Sequence, residues 1–169
     1  APYPIGTPGR PWTADDVVQW RSVQKPVRSY TDDVLSVVEE LRGPYEVIRY
    51  GRVGDHPLVA LRSRDWRIDL PCALVTGGVH GYETSGVLGA LRFAGECAGT
   101  PGVNLLVAPC VSPWAYERVQ RWNADAVDPN RSFRTTRPAP EAAALTALVD
   151  GLDARVLVHV DLHETTDSD

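Results

Sequence analysis

The chain has 169 residues, and 43% of them are hydrophobic, which suffices for the core of a single domain over residues 1–169. Its net charge of -5 argues against nucleic acid or an anionic membrane as the main partner. No apolar stretch is long enough to span a bilayer and no signal-peptide pattern opens the chain, so we expect a cytoplasmic protein. Because the chain starts at Ala1 and contains no Met, a mature secreted or periplasmic form is the alternative. The three cysteines lack CxxC spacing, which argues against a disulfide framework and a thiolate zinc site.

The N-terminal segment predicts an extended arm followed by two helices. Residues 1–12 contain four prolines and two glycines, which exclude regular structure, and we expect this arm to be held by Tyr3, Ile5 and Trp12. Thr13 is the predicted cap of the first helix, whose apolar stripe is Val17, Trp20 and Val23. Thr31 is the predicted cap of the second helix.

Strand and helix patterns alternate along the rest of the chain. The predicted elements are a hairpin of strands 45–50 and 58–61, a strand 72–76, a helix 83–97, a strand 103–107, a loop 109–138, a helix 140–152 and a strand 155–162. This order predicts an α/β fold, with a mixed, mostly parallel sheet sandwiched by helices. Because the chain ends just past a strand, we expect the domain to be incomplete at its C-terminus.

Side chains that can bind a metal follow two of the predicted strands. His80 and Glu83 come directly after Gly77-Gly78, at the carboxyl end of a strand, where open α/β sheets place their sites. His163 follows the last strand in the same way. Two histidines and one glutamate are a ligand set of catalytic zinc sites that keep one position for water. The sequence therefore predicts one zinc ion bound by His80, Glu83 and His163.

The loop 109–138 carries a cluster of polar side chains. Its members are Arg118, Arg121, Asn123, Asp128, Asn130 and Arg131. Arginine binds carboxylates through two parallel hydrogen bonds, so such a loop beside a zinc site suits a carboxylate-bearing substrate. An aspartate nearby suits the role of accepting a hydrogen bond from the far nitrogen of a ligand histidine.

The other two histidines are not among the predicted metal ligands. His159 shares a strand face with Asp161 and His163, since side chains alternate along a strand, and we expect it to be hydrogen-bonded and not a ligand. His56 follows Asp55 in the turn of the predicted hairpin, where we expect a solvated side chain.

The order of these motifs resembles the zinc metallocarboxypeptidases of the carboxypeptidase A type. The matching pieces are His80-x-x-Glu83, Arg121-x-Asn123, Asp128-Pro129-Asn130-Arg131 and His163, and the stretches at 3–9 and 76–86 are similar to a bacterial branch of that family. The resemblance implies that His80, Glu83 and His163 bind zinc and that Asp128 orients His80. It also implies that Arg121 polarises the scissile carbonyl, while Asn130 and Arg131 hold the terminal carboxylate of the substrate. The resemblance covers the N-terminal portion of the family's domain.

The sequence departs from the family at its end. The family's general-base glutamate and its mobile substrate-binding tyrosine lie beyond the third zinc ligand, so we expect the isolated chain to be inactive and a C-terminal segment or separate chain to complete the domain. Glu164 is next to His163, but its side chain should point away from the ligand face. The acidic run Glu164, Asp167 and Asp169 favours a basic or amine-bearing substrate.

The predicted function is zinc-dependent hydrolysis of a C-terminal peptide bond by a metal-activated water. One alternative is a zinc amidohydrolase that removes the acyl group from N-acyl amino acids, similar to aspartoacylase or succinylglutamate desuccinylase. Another is a zinc-binding module without catalysis. Under both enzyme hypotheses the binding partner is the substrate, a peptide or an acyl-amino-acid with a free carboxylate. Neither nucleic acid nor a membrane is expected as a partner.

Overall fold

The computed structural model describes residues 5–164. Tyr3 of the predicted arm and Asp167 and Asp169 of the acidic run lie outside these described residues. Within them, no helix has the length and apolar character needed to cross a bilayer.

The centre of the fold is a mixed sheet of five strands. They are β1 (Tyr45–Val53), β2 (His56–Ser63), β3 (Cys72–Gly77), β4 (Asn104–Ala108) and β5 (Val156–Leu162), in the spatial order β1-β2-β4-β3-β5. β1 and β2 form an antiparallel hairpin and β2 pairs antiparallel with β4, whereas β3 pairs parallel with both β4 and β5. The predicted mixed α/β sheet is confirmed, with its parallel pairing concentrated in the strands that carry the candidate ligands.

Helices pack on both faces of the sheet, except for the first helix, which packs against another helix. They are α1 (Ala14–Val23), a π-helical turn (Thr31–Leu35) continued by α2 (Ser36–Glu40), α3 (Thr84–Glu96), α4 (Pro113–Arg118), α5 (Pro129–Ser132) and α6 (Pro140–Asp150). On one face Val34, Val87 and Leu91 pack among the side chains of β2, β3 and β4. On the other, Leu145 of α6 packs against Leu74 and Leu106. Each face buries a helix stripe against apolar strand residues, which is the predicted sandwich.

The predictions for the first two helices were partly wrong. Thr13 does cap α1, where its hydroxyl accepts from the Asp16 amide and the Asp16 carboxylate accepts from the Thr13 amide. Of the predicted stripe, Trp20 is buried but Val23 is exposed, because α1 packs through its aromatic side against Trp114 and not against the sheet. Thr31 is not a cap: the helix begins there without a side-chain cap on Tyr30.

The predicted hairpin is confirmed, but its turn is shorter than the sequence indicated. Pairing continues to Val53 opposite His56, so the turn lies at Gly54 and Asp55. His56 is therefore the first residue of β2, and its Nε2 lies 2.9 Å from the Glu117 carboxylate of α4. The prediction that His56 is a solvated turn residue was wrong, because strand pairing folds its ring against α4.

A buried carboxylate lies at the start of α6. Glu141 is fully buried, and its Oε2 accepts a hydrogen bond from Asn123 Nδ2 at 3.0 Å. Its Oε1 has no hydrogen-bond partner among the described residues. Burial raises the pKa of Glu141 by more than the bond from Asn123 lowers it. Once the pH exceeds 4.5, the ordinary pKa of this group, the carboxyl ionises in the unfolded chain before it ionises in the folded protein. The free energy of unfolding therefore falls as the pH rises towards the pKa of the folded state.

We expect Glu141→Gln to stabilise the protein at neutral pH by about 1 kcal/mol, because glutamine keeps the acceptor for Asn123 without a buried charge. The gain should vanish at about pH 3, well below the ordinary value of 4.5, where the glutamate is protonated in both states. Urea unfolding at the two pH values measures it, with the exposed Glu40→Gln as the control. A wild type that is the more stable protein at neutral pH would contradict this expectation.

Candidate metal centre

The parallel register brings the carboxyl ends of β3 and β5 to one place. Thr76 pairs with Asp161 and Gly77 with Leu162, so the chain leaves both strands at the same level of the sheet. His80 and Glu83 lie in the turn after β3, which ends where Glu83 becomes the N-cap of α3. Gly81 in that turn lies so close to the α4 backbone at Ala115 and Tyr116 that no side chain fits there. The turn is therefore held against α4.

His80, Glu83 and His163 form one cluster, as the sequence predicted. His80 Nδ1 lies 2.8 Å from Glu83 Oε1, and His163 Nδ1 lies 2.7 Å from Glu83 Oε2. One ligand atom from each of the three residues lies within 4.8 Å of the others. His80 and Glu83 are buried, whereas His163 is exposed on one side. Two imidazole nitrogens and a carboxylate converging in this way could hold a divalent metal ion.

Each histidine of the cluster is bound on its far side by a second carboxylate. His80 Nε2 lies 3.1 Å from Asp128 Oδ1, and His163 Nε2 lies 2.8 Å from Asp161 Oδ2. A carboxylate there keeps the proton on Nε2 and leaves the Nδ1 lone pair for a metal. These donors therefore fit a metal ion. The structure places the Asp128 carboxylate beside His80 Nε2, the contact that its predicted role of orienting His80 needs.

The carboxylates also set the charge of the cluster. Burial lowers the pKa of His163, but the nearby carboxylates of Asp161 and Glu83 outweigh it and hold that pKa above its ordinary value. Burial raises the pKa of Asp128, but the hydrogen bonds and charges of His80 and Arg121 outweigh it and hold that pKa below its ordinary value. Asp128 is therefore a charged acceptor at neutral pH.

Two arginines surround Asp128. Arg121 donates from Nε to Asp128 Oδ2 at 3.1 Å, and Arg131 Nε lies 3.6 Å from the same oxygen. The backbone amide of Asn130 donates to Asp128 Oδ1, which makes Asp128 the N-cap of α5. The Arg131 side chain is 82% exposed, and Asn130 is exposed too, so both are free to meet a ligand. The loop thus places two positively charged side chains, Arg121 and Arg131, near His80.

Two other candidates have structural contacts. The Arg118 guanidinium carbon lies 4.7 Å from the centroid of the Trp114 ring, and the side chain donates to the Trp114 carbonyl. Both contacts are within α4, and they stabilise that helix. Glu164 accepts a hydrogen bond from the Ser85 amide in the first turn of α3. Its carboxylate therefore points away from the cluster, as predicted, and it ties the end of β5 to the helix that follows Glu83.

Sequence reasoning missed two residues of the site. Asp161 was placed on the same strand face as His163, but the alternation alone did not identify it as the acceptor for His163 Nε2. Tyr82 stacks on His80 with the rings almost parallel, 5° apart, and their centroids separated by 5.9 Å. An aromatic residue inside a His-x-x-Glu turn was the available signal for this contact.

Comparison with known proteins gives structural neighbours only. No protein-family model matches the chain, and no curated protein matches it. A metallopeptidase structure from Shewanella denitrificans OS217 is 27% identical with a TM-score of 0.67, covering 79% of this chain and 53% of that one. A metallo-carboxypeptidase from Burkholderia cenocepacia is 18% identical with a TM-score of 0.68, covering 79% and 40%. Bovine thrombin-activatable fibrinolysis inhibitor, in complex with tick carboxypeptidase inhibitor, is 16% identical with a TM-score of 0.64, covering 92% and 61%.

The chain thus spans about half the length of the solved structures that it matches. The distant neighbours share its fold, and the nearer ones are metallopeptidases. The chain therefore has the fold of the metallocarboxypeptidases.

Proposed function

We propose that this chain provides the zinc-binding part of a metallocarboxypeptidase, which hydrolyses the C-terminal peptide bond of a substrate with a free carboxylate. The observation that carries the proposal is the cluster of His80, Glu83 and His163, with the charged carboxylates of Asp128 and Asp161 behind the two histidines. Two histidines and one glutamate, with a position left for water, are a ligand set that catalytic zinc sites use.

When bound, zinc would supply a water of lowered pKa and would polarise the scissile carbonyl. Around it, Asp128 and Asp161 hold the two imidazoles with Nδ1 inward. Arg121 donates to Asp128 through Nε, and its guanidinium group would also donate to the substrate oxygen on which negative charge develops. Arg131 and Asn130 lie at the exposed edge of the same loop, where they would bind the terminal carboxylate of the substrate.

The test of this proposal compares one peptide with a free C-terminus and the same peptide amidated there, using the full-length gene product. We expect only the free peptide to lose its last residue. Arg121→Ala should lower kcat/KM by about a hundredfold, because it removes a donor to the developing charge. Arg131→Ala should instead raise KM by about tenfold or more, since it removes a charged hydrogen bond to the ground state.

The matched control is Arg134→Ala, because Arg134 is an exposed arginine in the same segment but has no role in the proposal. Equal cleavage of the amidated peptide would contradict carboxylate recognition by Arg131 and Asn130. Turnover of N-acetyl amino acids without peptide cleavage would identify the amidohydrolase alternative. Metal binding without any turnover would identify a zinc-binding module.

A further inference from the structure

Thr76 connects the two strands beneath the metal-binding cluster. It is fully buried near the end of β3, opposite Asp161 of β5 in the parallel register. Its Oγ1 lies 2.7 Å from Asp161 Oδ1 and 2.8 Å from His159 Nε2. Asp161 in turn reaches His163 through its other oxygen. A single hydroxyl therefore joins His159 to the carboxylate that holds a candidate ligand.

The direction of these hydrogen bonds follows from which atoms can donate. An ionised carboxylate only accepts, so the Thr76 hydroxyl donates to Asp161 Oδ1. Its proton is then in use, and His159 must donate from Nε2 to Thr76 Oγ1. Asp161 Oδ2 likewise accepts from His163 Nε2–H, which leaves His163 Nδ1 directed at Glu83. One arrangement of protons therefore satisfies the three hydrogen bonds that connect His159 Nε2 to His163 Nε2.

His163 needs such support more than His80 does. The His80 side chain is 4% exposed and is packed under Tyr82, whereas that of His163 is 32% exposed. Asp161 is also partly exposed and lies on β5, at the end of the described sheet. Without a buried anchor, its carboxylate would be free to rotate into solvent. Thr76 is that anchor, much as the Asn130 amide and Arg121 fix Asp128 behind His80.

We propose that Thr76, supported by His159, is a positioning residue for His163: it fixes the Asp161 carboxylate, which then directs His163 Nδ1 at the metal. This inference rests on the proposed role of His163 as a metal ligand. It assigns to β3 a second function in the site, because the strand that leads to His80 and Glu83 also orients the ligand on β5.

The test measures zinc affinity by competition with a chromophoric chelator. Thr76→Val keeps the shape of the side chain and removes the hydroxyl, so it should weaken zinc binding by about ten- to a hundredfold, the usual effect of losing an outer hydrogen-bond partner. Thr76→Ser restores the hydroxyl and should restore affinity. His159→Ala should weaken zinc binding less than Thr76→Val does, because Thr76 can still donate to Asp161. The control is Ser63→Ala, which removes a buried hydroxyl from β2 and should leave the zinc affinity unchanged.

A second measurement separates positioning from general destabilisation. In the Co²⁺-loaded protein, the exchangeable Nε2–H of His163 should give a shifted proton NMR signal that exchanges slowly in wild type and Thr76→Ser, and fast in Thr76→Val. Should Thr76→Val fail to fold, Asp161→Ala, a change at the partly exposed edge, must show the same losses. Unchanged zinc affinity in folded Thr76→Val or Asp161→Ala would overturn the inference.

The two proposals fail in different ways. A protein that binds zinc through His163 but cleaves no substrate would contradict the proposed function and leave the affinity test of Thr76 intact. A protein that cleaves substrate and binds zinc equally well with or without the Thr76 hydroxyl would contradict the inference alone.

Discussion

Replacing His163 or Glu83 with alanine should remove the bound metal, from about one ion per chain in wild type to almost none. The reason is geometric, because Glu83 lies between the two imidazoles at 2.8 Å and 2.7 Å, and each variant leaves only two of the three donors. Elemental analysis of the purified chain, after dialysis against zinc and then against buffer, measures the loss. Circular dichroism establishes that each variant is folded.

His56→Ala is the matched control for this experiment. His56 also bonds a glutamate, at 2.9 Å from Glu117, but it lies outside the cluster and should not affect metal content. Retention of zinc by His163→Ala would contradict the assigned ligand set. A folded wild-type chain that holds no zinc would contradict the expectation that these three ligands bind the metal by themselves. The same assay on the full-length gene product then tests whether more of the chain is needed.

The sequence predicted the elements of the fold better than their arrangement. A short apolar run before a Gly-Gly pair located β3, and the periodic pattern after Glu83 located α3 to within one residue. The position of β4 between β2 and β3 depends on contacts between distant parts of the chain, which local patterns do not contain. The helices α4 and α5 have six and four residues, too few to produce a periodic signal, so that segment was predicted as a loop.

The same distinction holds for the candidate site. His80, Glu83 and His163 were predictable because each follows a strand, and strand ends of a parallel sheet meet at one edge. Asp128 came from the family resemblance. The bridge through Thr76 was not predictable, since it exists only when Thr76 of β3 stands opposite Asp161 of β5, and a one-residue slip would turn either side chain to the other face. Register, not composition, creates this part of the site.

Gly86→Ala should destabilise the protein by about 2–3 kcal/mol and weaken metal binding by about tenfold or more. Gly86 lies on the face of α3 that touches the end of β5, where a Cβ would fall well inside van der Waals contact with the carbonyl oxygen of Leu162. Both sides of this contact are backbone, so no side chain can rotate away, and α3 or β5 must move. Leu162 directly precedes His163, and such a movement therefore displaces the ligand.

Gly89→Ala, one turn further along α3, is the control that distinguishes this contact from a general effect of alanine. A Cβ at Gly89 would make ordinary contact with Leu162 Cδ1 at 3.5 Å, and alanine in a helix interior is favoured over glycine by about 0.5–1 kcal/mol. Gly89→Ala should therefore raise stability and leave zinc affinity unchanged. Urea unfolding and chelator competition on both variants measure the difference. If Gly86→Ala were as stable as Gly89→Ala and bound zinc as well, the close approach of α3 to β5 would not position His163.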